Sequence, residues 1–241
     1  MNDDTGLMSY SEPPHFHCRR NERDRFSGAT SCASKVGPCN PRITPIFDAM
    51  VDAGFDFYAP QSFEDAAGGD DESDGRLPRC DGGKPDGARG WQCALTVPRE
   101  LSMRDGKLCQ QPAHEIERMR GDCVRTTGGE TVEEPGRLFD LVVSCEGAKM
   151  VELEIRKGVF VRYADGMLTL DMGDEGYGRD QRSIELGELR DLRVLSDTTM
   201  VEIFANGGEA ALTSRTYSSA VPAMALHAEG AASMDFYRLA H

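Results

Sequence analysis

Carboxylates are the first candidates for chemistry in this chain. The stretch MNDDTGLMSY sets Asn2, Asp3 and Asp4 close to Gly6, and such a cluster is either a solvated polar terminus or one wall of an active site. A carboxylate that attacks or accepts a proton needs a second group kept in the opposite protonation state. Residue types alone therefore leave both readings open. His15, His17 and Cys18 form an H-x-H-C run with no second ligand pair at zinc-site spacing. An ordinary strand or loop is expected there, and no metal. The acidic run GDDESDG at 69–75 lacks the fixed spacing of a calcium loop and reads as a solvated loop. Asp56 and Tyr58 stand in an aromatic cluster, AGFDFYAPQSF at 53–63, which looks like a strand running into an active or structural loop. Trp91, the single tryptophan, reads as a core residue rather than a sugar platform. Glu202, Glu209 and Arg215 fall on strand-like sequence and are expected on a solvated face.

The elements that must position these residues divide the chain. Residues 1–47 are polar and poor in aliphatics, with Pro13, Pro14, Pro38, Pro41 and Pro45 breaking any long element. The Gly-, Asp- and Pro-rich tract at 65–90 predicts a mobile loop. WQCALTVPREL at 91–101 predicts a strand closed by Pro98, and MRDGKLCQQ a hairpin turning at Asp105-Gly106. PAHEIERMRG then carries Pro112 at a helix start, acidic residues early, arginines late and Gly121 as a stop, which predicts one short linker helix over 111–122. From about residue 137 apolar segments recur every 8 to 12 residues, the spacing of a β-sandwich. Ala164-Asp165-Gly166 and Asn206-Gly207-Gly208 are the expected hairpin turns, because these residues tolerate positive φ.

Composition narrows the class. A hydrophobic share of 39% and a charged share of 28% are those of a globular chain. Acidic residues outnumber basic ones 41 to 27, for a formal charge of −14, so nucleic acid would be repelled from most of the surface. No apolar stretch approaches the length of a membrane span. With no secretory leader in residues 1–20, a cytoplasmic location is expected, with the eight cysteines as reduced thiols.

Several stretches together resemble glycoside hydrolase family 32, the β-fructofuranosidases and bacterial sucrose-6-phosphate hydrolases. DAGFDFYAPQSFED at 52–65, GWQCALTVPRELSMRDGKLCQQP at 90–112 and RVLSDTTMVEIFANGGEAALTSRTY at 193–217 are similar to family segments in the family's order. MNDDTGLMSY resembles the W-M-N-D-P-N-G-L-x-Y segment, keeping Asn2, Asp3, Gly6, Leu7 and Tyr10, and DRFSGAT at 24–30 resembles F-S-G-S-A.

That resemblance implies an all-β fold: a five-bladed β-propeller followed by a β-sandwich, with a propeller-type domain at 1–110, the linker helix at 111–122 and the sandwich at 123–241. The implied chemistry is retaining hydrolysis of terminal β-fructosides such as sucrose or sucrose 6-phosphate, without a cofactor. Asp3 matches the nucleophile, Asn2, Phe26 and Ser27 match residues around the fructosyl group, and Asp56 and Tyr58 lie in the D-F-Y-A segment at the rim of the pocket. Asp4 replaces the family's Pro, Thr5 its Asn and Arg19 a substrate-binding Gln. An added carboxylate at Asp4 would raise the pKa of its neighbour. The family's R-D-P and E-C motifs, which carry a second Asp and the acid/base Glu, belong between F-S-G-S-A and D-F-Y-A, yet residues 31–51 contain neither a Glu nor an Arg-Asp-Pro.

Five four-stranded blades require about 200 residues, and only about 110 precede the linker helix. The sequence therefore implies an incomplete propeller of two or three blades, whose open sheet edges invite self-association. Limited proteolysis is expected to cleave within 1–110 first and to leave a resistant C-terminal fragment, detected by mass spectrometry of the products. Preferential trimming of 137–241 would contradict this reading.

Overall fold

In the computed structural model the placed residues are 51–63, 71–76, 94–127, 129–176, 179–217 and 222–240. They form strands almost throughout, in four antiparallel sheets. The N-terminal sheet is a meander of β1 (Tyr58–Phe63), β2 (Asp71–Arg76), β3 (Arg99–Arg104) and β4 (Lys107–Pro112), the form a single propeller blade takes. Asp105 (φ 49°) and Gly106 (φ 76°) make the turn between β3 and β4, as their types predict.

Three expectations need correction here. Residues 71–76, read as part of a mobile loop, form β2 between β1 and β3. Of the strand expected to close at Pro98, residues 91–93 lie outside the described ones, 94–98 carry only an isolated bridge at Leu95, and β3 begins at Arg99, after the proline. The Pro98 carbonyl accepts the Ala113 N–H at 2.8 Å, which ties the entrance of β3 to the exit of β4. The linker helix is a six-residue 3-10 turn, His114–Met119. Ala113 at its start provides no side-chain cap, and Arg120 is already extended.

Two larger sheets follow. Strand β5 (Arg120–Thr127) edges a six-stranded sheet with β7 (Phe139–Ser144), β12 (Asp191–Asp197), β13 (Met200–Ala205), β14 (Ala210–Arg215) and β17 (Ser233–Leu239), in the order β14-β13-β12-β7-β17-β5. The facing sheet contains β8 (Met150–Arg156), β9 (Val159–Ala164), β10 (Met167–Asp171), β11 (Gln181–Glu185) and β16 (His227–Glu229), in the order β11-β10-β9-β8-β16. A short pair, β6 (Thr131–Val132) with β15 (Met224–Ala225), completes the set.

The period-two pattern of the sequence explains how the sheets meet. Leu141 and Val143, Leu153 and Ile155, Val159 and Val161, Leu168 and Leu170, and Met234 and Phe236 all point into one buried cluster between the sheets, as sandwich packing requires. Phe139 and Phe236 lie with ring centroids 5.5 Å apart. Gly166 and the turn Asn206-Gly207-Gly208 adopt the predicted positive φ.

Strands β13 and β14 break the alternation, because every residue in both is buried. Glu202 and Arg215, expected on a solvated face, are 1% and 0% exposed. The reason is a second layer: residues 51–57 and the N-terminal meander cover the outer face and edge that a free sandwich would leave in water. A smaller apolar cluster of Leu195, Phe204 and Ala211 with Val97, Ile116 and Leu239 fills this second interface.

Among the described residues Cys109 and Cys145 are buried thiols and Cys123 an exposed one. Burial, with Asp191 nearby, pushes the Cys145 thiol up to about 12, so it stays protonated and unreactive at neutral pH. Brief alkylation of the native protein at pH 8 is expected to modify the peptide carrying Cys123 and to spare those carrying Cys109 and Cys145 until denaturant is added, as read by peptide mass spectrometry.

Candidate functional site

Of the sequence-predicted site residues, Asn2, Asp3, Phe26 and Ser27 lie outside the described residues, as do His15, Arg19 and Trp91. Asp56 and Tyr58 lie within them, in a segment built around one fully buried arginine, Arg99, and one partly buried one, Arg179.

Arg99 enters from the start of β3 and is fully buried. One guanidinium nitrogen meets Asp52 Oδ2 and Gln110 Oε1, each at 3.1 Å, and the other meets Glu202 Oε2 at 2.7 Å and Thr213 Oγ1 at 2.5 Å. Its flat face lies 4.7 Å from the Phe57 ring centre and 4.9 Å from that of Phe204, a favourable stacking for guanidinium. Burial works against its charge, but Glu202 and Asp52 hold its pKa above the ordinary arginine value. Burial pushes the Glu202 carboxyl above the usual glutamate range, opposed by Arg99 and by the Val97 N–H, which donates to Glu202 Oε1 at 2.8 Å. Asp52 also accepts the Thr213 N–H at 2.8 Å and the Thr213 hydroxyl at 2.7 Å.

Asp56 is the counterpart four residues on. It is 5% exposed, ion-paired with Arg179, and it accepts the Arg215 N–H at 2.8 Å. Tyr58 follows as the first residue of β1, paired with Arg76. Asp52 and Glu202 are two carboxylates converging on one site, the pattern sought for acid–base work. Both are enclosed beside the same guanidinium, with side chains 0% and 1% exposed, so no substrate reaches them.

Two further groupings lie at the surface. Glu100, His114 and Glu115 bring three possible ligand atoms within 4.8 Å of one another, but each His114 ring nitrogen already faces a carboxylate, at 2.9 Å and 3.2 Å. Beside the meander, a cleft of about 350 Å³ is lined by Gln111, Glu117, Arg120, Arg193, Asp235 and Tyr237 among others. Its two arginines both pair with the fully buried Asp140, Arg120 at 2.7 Å and Arg193 at 3.0 and 2.7 Å. Both cations of the cleft are thus already engaged, and with Glu117, Asp191 and Asp235 also lining it the cleft is net acidic.

With this geometry in hand, two models of one family match the chain in order. The glycosyl hydrolases family 32 N-terminal domain matches residues 42–112, and the family 32 C-terminal model matches residues 161–239. The chain belongs to glycosyl hydrolase family 32. A raffinose invertase of Escherichia coli is 36% identical over 194 residues, covering 70% of this chain and 38% of that protein. The sucrose-6-phosphate hydrolase of the same organism is 32% identical over 188 residues, covering 69% and 38%. This family 32 chain thus spans less than two fifths of the curated relatives it matches. Among solved structures, sucrose-6-phosphate hydrolase from Lactobacillus gasseri shares its fold with a TM-score of 0.69 at 21% identity, over 79% of this chain and 43% of that one. An exo-inulinase from Aspergillus awamori matches with a TM-score of 0.65 at 19% identity, over 79% and 44%.

The two matched regions are the ones that Arg99 and Arg179 join. Arg99 and Asp52 fall in the N-terminal match and Glu202 and Thr213 in the C-terminal one, and Asp56 likewise meets Arg179 and Arg215 across the boundary. Sequence reading missed Asp52, Arg99 and Arg179. The available signal was the spacing Asp52-Ala53-Gly54-Phe55-Asp56, two carboxylates flanking a glycine. Removing the arginine leaves two buried carboxylates without a cation, so Arg99→Met is expected to cost about 3–5 kcal/mol, measured by denaturant unfolding of the purified protein. Arg99→Lys is expected to recover only part of that loss, since one ammonium cannot reproduce the forked contacts.

Proposed function

We propose that this chain is a β-fructofuranosidase-type glycoside hydrolase, acting on terminal β-fructosides such as sucrose or sucrose 6-phosphate with retention of configuration. The observation that carries the reading is the joining of the N-terminal and C-terminal family regions by Arg99 and Arg179, which holds the D-F-Y-A segment against the sandwich. The names of the relatives, raffinose invertase and sucrose-6-phosphate hydrolase, support the substrate class.

In this reading Asp3 attacks the anomeric carbon of the fructosyl group, forming a covalent ester while the bond to the leaving oxygen breaks. Asn2, Phe26 and Ser27, with Asp56 and Tyr58 at the rim, surround the sugar. Water then cleaves the ester and restores the original configuration. The leaving oxygen must receive a proton from a second carboxyl group about 5 Å from the first. No cofactor enters this chemistry. We place the protein in the cytoplasm, where its thiols stay reduced. No helix among the described residues is long and apolar enough to cross a membrane.

A second reading has its own observation. Residues 31–51, where the family carries its acid, contain no Glu, which favours a non-catalytic remnant whose sandwich serves as a carbohydrate-binding or interaction module. The hydrolase reading expects purified protein to release fructose from sucrose or sucrose 6-phosphate, with Asp3→Ala lowering kcat by about a thousandfold or more. Fructoside binding without turnover in the parent protein would favour the module.

A further inference from the structure

The stretch Asp52–Phe57 runs along β14, the outer strand of the six-stranded sheet, and closes that edge in an unusual way. Two of its amides pair as a strand would: Ala53 N–H donates to the Ala211 carbonyl at 2.8 Å and Asp56 N–H to that of Thr213 at 3.2 Å. The outward amides of β14 find carboxylates instead of carbonyls. Thr213 N–H donates to Asp52 and Arg215 N–H to Asp56, each at 2.8 Å. Gly54 sits between them because a Cβ there would overlap the Thr213 backbone.

The aromatic residues follow the same division. Phe57 lies over Arg99, while Phe55 lies 4.1 Å from Arg182 and 5.8 Å from Arg179. Arg99 belongs to the same N-terminal meander as Tyr58, whereas Arg179 comes from the segment leading into β11 in the opposite sheet. Arg179 also donates to the Gly176 carbonyl at 2.9 Å and to that of Arg215 at 3.0 Å. Its guanidinium thus spans Asp56, the last outward carbonyl of β14 and its own turn. Asp56 is two residues from Tyr58, where β1 begins.

We propose that Arg179 is a positioning residue for the sugar site: through Asp56 it fixes the backbone that presents Tyr58, so the sandwich tunes fructoside binding without touching the sugar. The proposal rests on the fructosidase reading above and assigns part of that site to the C-terminal half of the chain. Asp56 is the joint, and Arg179 is what keeps the joint closed. Arg179→Met leaves the buried Asp56 carboxylate without its cation and Asp56→Asn leaves Arg179 without its carboxylate, and either loosens the segment from β14, while the strands that build most of the main core, β7 and β8 among them, keep their own contacts.

The test compares the parent protein with Arg179→Met, Asp56→Asn and Arg179→Lys by hydrogen–deuterium exchange, calorimetric titration with sucrose and steady-state hydrolysis. Both neutralising variants should speed exchange in peptides covering 51–63 by about tenfold or more, with peptides covering 139–156 unchanged. Arg179→Met should weaken sucrose binding, or raise KM, by about tenfold with kcat held within about threefold, Asp56→Asn should weaken binding at least as much, and Arg179→Lys should restore part of the effect. Unchanged exchange at 51–63, or exchange rising equally throughout, overturns the proposal. So does parent-like sucrose affinity in Arg179→Met. A parent protein that binds sucrose without hydrolysing it sinks the hydrolase reading alone, since exchange and affinity still decide the role of Arg179. Absence of any sucrose binding in the parent overturns both.

Discussion

One fully buried guanidinium organises the described part of this protein. Arg99 holds Asp52 and Glu202, which lie on either side of it in sequence, 47 residues before and 103 after. Burying three charges together costs more in lost hydration than an isolated pair recovers, so the arrangement persists only because almost every polar atom has an assigned neighbour. Gln110, Thr213 and the Val97 N–H fill further positions, Arg99 Nε alone of the guanidinium nitrogens lacks a hydrogen-bond partner among the described residues, and Phe57 and Phe204 cover the guanidinium faces. Such a cluster contributes specificity more than net stability: it accepts one docking of the meander on the sandwich, since a one-residue slip would leave a buried charge exposed to apolar neighbours.

The same constraint explains why β13 and β14 look wrong for a sandwich surface. In an isolated sandwich one face of an edge strand is wet, and Glu202, Thr213 and Arg215 would be ordinary surface residues. Here they form the floor of a second layer, and their polar groups receive partners from the N-terminal half. Family membership gains a physical meaning from this: the two regions that match the family separately are one packed body, and neither would bury its own polar residues alone.

What was legible in the sequence follows from how local the determining forces are. Hairpins at Asp105-Gly106, Ala164-Asp165-Gly166 and Asn206-Gly207-Gly208 were readable because positive φ is a property of two or three residues. The strands of the sandwich were readable from alternation, except β5 and β11, which are mostly exposed or half-buried and carry little apolar pattern. The burial of Glu202 and Arg215 was not readable, because it depends on a layer supplied by residues about 100 to 160 positions away in sequence. The helix expected over 111–122 failed for a related reason: its capping pattern is genuine, but strand pairing of β4 and β5 takes residues from both ends. Family resemblance singled out Asp56 and Tyr58 as expected neighbours of the sugar, while the arginines that surround Asp56 carried no local signature.

The closure of the β14 edge by Asp52 and Asp56 also sets an order of events in time. Their partners lie 161 and 159 residues downstream, so a chain emerging from the ribosome presents both aspartates long before the strand that receives them exists. Contacts of such separation form late and slowly. The contacts of Asp52 and Asp56 therefore close only after β14 has been made, and the N-terminal segment joins that edge late. Residues made early in this chain thus complete some of their contacts last.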